Sequence, residues 1–175
     1  MMRYAPALAI LPVCAFAAGT DPEPPKPTET TERCADGQVW DAGTSACVDA
    51  QDSRLDDDDR LRAARELAYA GRPRDALRVL AAVSAGEDPD VLALRGFATR
   101  RAGDWAGAIR LYRAALATEP DHWQTLSYMG QALAQRGDRR GAADHLERIR
   151  ASGGRGSWPE ISLARMLRTG RSSDY

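Results

Sequence analysis

Small and large apolar positions recur through the second half of the chain at a fixed interval. Gly96 is followed by Gly130, Gly103 by Gly137, Ala108 by Ala142, Tyr112 by Leu146 and Ala115 by Ile149, each pair thirty-four residues apart. An earlier copy carries Gly71, Ala76, Leu80 and Val83, thirty-two residues before Gly103, Ala108, Tyr112 and Ala115, which predicts a loop two residues shorter after that copy. A period of this length, with helix-forming residues between the marks, is the signature of a stacked helix–turn–helix array. The polar positions punctuate it. Gly71, Gly103 and Gly137 suit the left-handed residue that ends a helix. Asp104 and Asp138 follow directly and can cap the next helix, while Pro73 and Asp88-Pro89 fit first turns. Gly96, Gly130, Ala108 and Ala142 are small where two helices must cross closely, and Tyr112, Leu116 and Leu146 are large enough to fill the space between layers. The Gly153-Gly154-Arg155-Gly156 stretch breaks the pattern. Ser157 and Glu160 then have capping-box spacing, and Ile161, Ala164, Met166 and Leu167 give an apolar side to a terminal helix over Trp158–Thr169.

The marks resemble the tetratricopeptide repeat, whose pattern places a Gly in the first helix, a Gly between helices, a small Ala in the second, a large apolar residue four later and a closing Pro. Residues 89–121 match best, with Gly96, Gly103, Ala108, Tyr112, Ala115 and Pro120. Residues 123–154 lack the closing Pro, residues 57–88 have Ala64 for the first Gly, and Leu92 and Leu126 stand where the family usually has Trp. The resemblance implies an all-α fold: a right-handed α-solenoid of about three helix pairs plus a C-terminal capping helix over residues 57–170, with a frayed tail at 171–175. It also implies a concave face of first helices that binds another protein or a peptide. Projected onto this chain, that face carries Arg65, Tyr69, Phe97, Arg100, Gln124, Gln131 and Arg165. Two readings stand side by side: either Tyr69 and Phe97 contact a ligand and the arginines pair with its carboxylates, or the aromatics belong to the core and the arginines are solvated. A clamp of Lys, Asn and Arg known in the family is not supplied by Ala93, Phe97, Ser127 and Gln131.

The residues before the repeats have another character. Met1–Ala18 holds an Arg, an apolar run too short to span a bilayer, and the small-residue pattern Ala15-Phe16-Ala17, which together predict a secretory signal over residues 1–19. Membrane attachment is expected only through lipidation of Cys14, and Val13 fits that signal poorly. Cleavage leaves the pair Cys34 and Cys47, expected to form a disulfide in an oxidising compartment. Residues 20–33 are rich in Pro and charge, and are expected to be a disordered linker. Residues 34–48 then predict a small disulfide-closed hairpin, followed by a linker over 49–56. Trp40 in that hairpin either stacks on a ligand or packs on its own disulfide. Export and repeats together describe a tetratricopeptide repeat protein of the bacterial envelope, periplasmic or secreted.

Composition sharpens this in a few places. Aromatic residues make up 6% of a chain that is 43% hydrophobic, which favours packing by small helical residues. Charge is divided: residues 21–60 hold twelve Asp/Glu against four Lys/Arg, and residues 61–170 hold twelve against eighteen. An acidic arm therefore precedes a basic body, which can attract an anionic partner or the arm itself. His122 and His145 are the only histidines and have no acidic, Cys or Ser partner at catalytic spacing in the sequence. The chain carries no phosphate loop, no nucleophile elbow and no calcium-loop spacing around Asp56–Asp59. No enzymatic activity, cofactor, metal or nucleic-acid partner is expected, and the chain should be a monomer or a weak dimer. The leading functional expectation is a scaffold for protein–protein interaction, with a role in assembly or maintenance of an envelope complex. The alternative is a surface module whose Cys34–Cys47 hairpin binds glycan or peptidoglycan, with the repeats as a spacer.

Overall fold

The capping residues start the helices where the sequence places them. The computed structural model describes residues 25–171; the expected secretory signal with Cys14, the first part of the Pro-rich stretch and residues 172–175 lie outside the described residues. In chain order the elements are α1 (Glu29–Arg33), β1 (Val39–Asp41), β2 (Ala46–Val48), α2 (Asp57–Tyr69), α3 (Pro73–Leu80), α4 (Pro89–Arg101), α5 (Trp105–Thr118), α6 (Trp123–Gln135), α7 (Arg139–Ala151) and α8 (Trp158–Thr169). Asp56 and Asp59 form a reciprocal capping box on α2, and Asp88, Asp104, Asp138 and Ser157 each accept a backbone N–H in the first turn of α4, α5, α7 and α8. Gly71, Gly103 and Gly137 adopt φ of 76°, 101° and 87°, so each helix pair turns through a conformation that a side chain would strain.

The pairs α2–α3, α4–α5 and α6–α7 stack in sequence, the first helices α2, α4, α6 and α8 lie side by side, and α8 covers the end of the last pair. Gly96 permits the α4–α5 crossing: a Cβ there would sit 2.4 Å from Cε1 of Tyr112, a side chain with no exposed surface. At Gly130 the space is filled from α8 by Leu163, whose methyl carbons would lie 2.7 and 2.9 Å from an added Cβ. The terminal helix thus seals the layer where no further repeat follows, as an array end requires. No described helix is long and apolar enough to cross a membrane.

Three expectations need correction. The shorter first copy has its shortening in the helix and not in the loop: α3 ends at Leu80, and the connection to α4 spans residues 81–88. Arg95 holds that connection by donating to the carbonyls of Leu80 and Gly86, at 3.0 and 3.4 Å, and Asp57 accepts from Ser84. Arg95 lies nine to fifteen residues from these acceptors, so local propensity could not foretell it. Next, the expected disordered linker contains α1 at Glu29–Arg33, docked on α2. Its anchor is Glu66, 3% exposed, whose carboxylate accepts from Thr28 N–H at 2.8 Å, Thr28 Oγ1 at 2.7 Å, Thr31 N–H at 3.2 Å and Thr31 Oγ1 at 2.7 Å. A buried carboxylate demands donors, and the tail supplies them. Finally, Ile161 does not face inward with the apolar side of α8; it is 43% exposed.

The hairpin is closed by the Cys34–Cys47 disulfide, with Trp40 opposite Cys47 in the antiparallel register. Val39, Val48, Ala50 and Leu55 join one apolar cluster with Ala63, Leu67 and Val79 of the first repeat. The hairpin therefore shares an apolar core with the first repeat. A second cluster, Leu126, Ala142, Leu146, Ile149 and Leu163, holds the last pair to α8.

Candidate functional site

The first helices bring three aromatic side chains into one buried stack. Tyr69 of α2 meets Phe97 of α4 with ring centroids 4.9 Å apart, and Phe97 meets Tyr128 of α6 at 4.4 Å, nearly parallel. Tyr128 Oη donates to Tyr69 Oη at 3.4 Å, and Trp158 at the start of α8 donates its indole N–H to the same oxygen at 3.3 Å. Trp158 is 7% exposed and belongs to this cluster, so the far end of the array folds across the face that the first repeat would otherwise present. Burial pushes the Tyr128 phenol well above its ordinary pKa, against the opposing charge of Arg65.

This geometry divides the seven residues assigned to a concave face. Tyr69, Phe97 and Gln131, at 3%, 2% and 2% exposure, are core and are not presented to a partner. Gln131 donates through Nε2 to Ser127 Oγ at 3.2 Å and Ser162 Oγ at 3.1 Å, tying α6 to α8. An open three-pair array leaves its first helices uncovered; here Trp158 and α8 cover these residues. Arg65 and Gln124 are half-buried at the rim, and Arg165 is exposed on α8. Arg165 shares its helix face with Ile161, four residues earlier, and Arg168, three later.

Arg100 belongs to neither group. It is 9% exposed, and its guanidinium lies over the Phe97 ring, 5.4 Å from the centroid. Nη1 donates to Oε1 of Gln135, the exposed last residue of α6. Nε and Nη2 are buried beside the Tyr112 hydroxyl. Burial raises the Tyr112 pKa to about 12, and the Arg100 charge opposes the rise. Trp105 Nε1 is a buried donor without a partner, on a ring that carries Arg136 at 4.9 Å.

Trp40 is half-buried and has Arg33 over its ring at 5.2 Å. It lines a half-open cleft of about 300 Å³ between the hairpin and α2, together with Thr28, Asp41, Leu55, Asp59 and Arg62. The indole thus walls a space between elements and does not simply lie on its own disulfide.

One arrangement escaped the sequence. His122 caps α6, accepting at Nδ1 from Thr125 N–H at 3.3 Å and contacting Thr125 Oγ1 at 2.6 Å, while Nε2 meets Asp90 of α4 at 2.9 Å. Asp, His and Thr in line evoke acyl-transfer chemistry. Thr125 has no exposed surface, however, so no substrate reaches its hydroxyl, and the group acts as a helix cap pinned to the preceding repeat. The thirty-two residues between Asp90 and His122 hid it. His145 is half-buried beside Gly130, and burial lowers its pKa. Among the described residues no cluster of His, Cys, Asp and Glu could hold a metal ion.

The stacked pairs, their positive-φ turns and the sealing terminal helix define a helical repeat scaffold, and comparison agrees. Residues 99–157 match the sequence model of the tetratricopeptide repeat family. Over that segment the chain is similar to tetratricopeptide repeats, a scaffold fold whose repeats generally mediate protein–protein interaction. No curated protein and no solved structure matches it.

Proposed function

We propose that the chain is an exported scaffold of the bacterial envelope that binds another protein or an extended acidic peptide, with no catalytic role. The observation that carries this reading is the outer face of α8, where exposed Ile161 lies beside Arg165 and Arg168 on a body with eighteen Arg against twelve acids. An apolar anchor rimmed by guanidinium groups is a composition that protein interfaces favour. Arg65 and Gln124, half-buried on α2 and α6, are further polar groups for the same partner. The test is affinity capture from the native envelope with a tagged full chain, followed by calorimetry on the captured protein. Arg165→Glu and Ile161→Asp should each weaken saturable binding at least tenfold; unchanged affinity in both removes this face from the function. Export itself is tested by fractionation, with Cys34–Cys47 oxidised in the extracytoplasmic fraction.

A second reading has its own observation, the cleft at Trp40. A half-buried indole wall with Asp41, Asp59 and Arg62 at hydrogen-bonding reach of one space suits a sugar ring, so the hairpin would hold glycan or peptidoglycan. Here the repeats serve as part of the same body and not as a spacer. Sedimentation with purified peptidoglycan, lost in Trp40→Ala and kept in Arg165→Glu, would favour this reading over the first.

A further inference from the structure

The cleft at Trp40 is acidic, although the helical body beside it is basic. Its lining carries the carboxylates of Glu29, Asp41, Asp59 and Glu66 against the one guanidinium of Arg62, a net charge of −3. These charges persist in the folded chain. The Thr44 hydroxyl and the Gly43 N–H hold Asp41 below the usual carboxylate range, so it stays ionised. Glu66 takes its four hydrogen bonds from neutral donors of Thr28 and Thr31, which satisfy its oxygens and leave its charge in place. Arg62 pairs with Asp59, but its side chain is 72% exposed, and an exposed pair of this kind holds weakly. Arg54, beside Asp41, is shared with Asp52. Even with Arg33, Arg54 and Asp52 added, the cleft and its surround hold two more negative charges than positive. The indole wall acts in the same direction, because an aromatic face attracts cations, as the guanidinium of Arg33 over the Trp40 ring illustrates. A space of about 300 Å³ is at the small end of ligand sites and suits a single ring.

We infer that the cleft takes an amino sugar with a free, protonated amine, its apolar ring face against the Trp40 indole and its ammonium among the carboxylates of Glu29, Asp41 and Asp59. The inference rests on the glycan reading of this cleft and names the class of sugar. N-acetylation removes the positive charge that the lining attracts, and a sugar bearing a carboxylate is repelled by it. The selection is opposite to that of the α8 face, where Arg165 and Arg168 favour an acidic group.

The experiment titrates the full chain with three probes: a glucosamine hexamer with every amine free, the N-acetylated hexamer of equal length, and hexalysine. Calorimetry gives the affinity, and the Trp40 indole N–H resonance, assigned with Trp40→Phe, reports the place. The free-amine hexamer should bind with saturation and shift that resonance, and the N-acetylated hexamer should bind at least tenfold more weakly. Arg62→Ala removes the one cation of the lining and should tighten the free-amine hexamer about fivefold, while Glu29→Gln should weaken it about fivefold. Both residues are exposed, and opposite effects from the two cannot arise from damage to the fold. Equal binding of the two sugar hexamers, or equal effects of the two variants, overturns the charge selection and leaves the glycan reading standing. Hexalysine binding as tightly as the free-amine hexamer, with the same shift at Trp40, overturns the sugar and assigns the cleft to a basic peptide. A Trp40 resonance that moves with neither sugar hexamer overturns the glycan reading and this inference together.

Discussion

Gly96→Ala asks whether the repeat spacing is enforced by packing. Alanine is the better helix former by about 1 kcal/mol in a helix interior, so propensity alone makes the substitution stabilising. The structure opposes it. The new methyl carbon would lie 2.4 Å from Cε1, 2.7 Å from Cδ1 and 3.1 Å from Cζ of Tyr112. Carbon pairs prefer about 3.5–4.0 Å, so α4 and α5 must part by roughly an ångström or the ring must move. The ring has little freedom, being fully buried with its centroid 6.5 Å from that of Tyr128. Overpacking of this kind costs about 1–3 kcal/mol, which leaves a net loss of about 0–2 kcal/mol after propensity, with the rigid ring favouring the upper end. Gly130→Ala is the internal control, because its added carbon presses only on the terminal methyl groups of Leu163, which can rotate, while His145 Cβ stands at an ordinary 3.4 Å. A strained rotamer costs about 0.5–1.5 kcal/mol, which the propensity gain nearly cancels. Urea unfolding should therefore show Gly96→Ala less stable than Gly130→Ala by about 1–2 kcal/mol, or about 2–8 °C in melting temperature. In a Tyr112→Leu background the Gly96→Ala loss should vanish. Equal stability of the two alanine variants would refute the argument, since it would mean that Tyr112 yields freely.

Further outcomes follow from other contacts. Glu66→Gln replaces an acceptor of four hydrogen bonds by a group that carries two donors of its own, so it should cost about 1–3 kcal/mol and raise amide exchange across Glu29–Arg33 before the rest of the chain. Reducing the Cys34–Cys47 bond, which spans thirteen positions, should lower stability by about 3 kcal/mol as read by melting with and without reductant. The depressed pKa of His145 means that the unfolded chain binds its proton first. Its contribution is thus complete above the ordinary histidine value of 6.5 and is lost as pH falls below it; His145→Gln should flatten the fall in stability between about pH 6.5 and 5. Tyr112, raised to about 12, acts in the other direction: stability should decline as pH rises from 10 towards 12, and Tyr112→Phe should remove part of that decline.

Much of the architecture was legible because it is written locally. The thirty-four-residue marks, the aspartates that cap α4, α5 and α7, the glycines at positive φ and the full extent of α8 each depend on a few neighbouring residues. The disulfide followed from counting cysteines, and the observed bond closes the expected hairpin. The candidate site was legible only in part. Arg165 stands exposed as a first-helix projection suggests, and Trp40 does line a space, but Tyr69, Phe97 and Gln131 are core.

The sequence by itself determined where helices begin, turn and end, because capping, helix propensity and close crossing at Gly96 act over at most one repeat. Tertiary structure decided which of their faces remain open. Tyr69 is buried by Trp158, eighty-nine residues away, and Glu66 gains its donors from Thr28 and Thr31, thirty-eight and thirty-five residues before it. Arg100 lost its solvent through contacts with Phe97 on its own helix, Tyr112 on α5 and Gln135 on α6. Burial is a property of the whole stack: a periodic pattern fixes which residues share a helix face, and only the arrival of α8 and the N-terminal arm settles what that face meets.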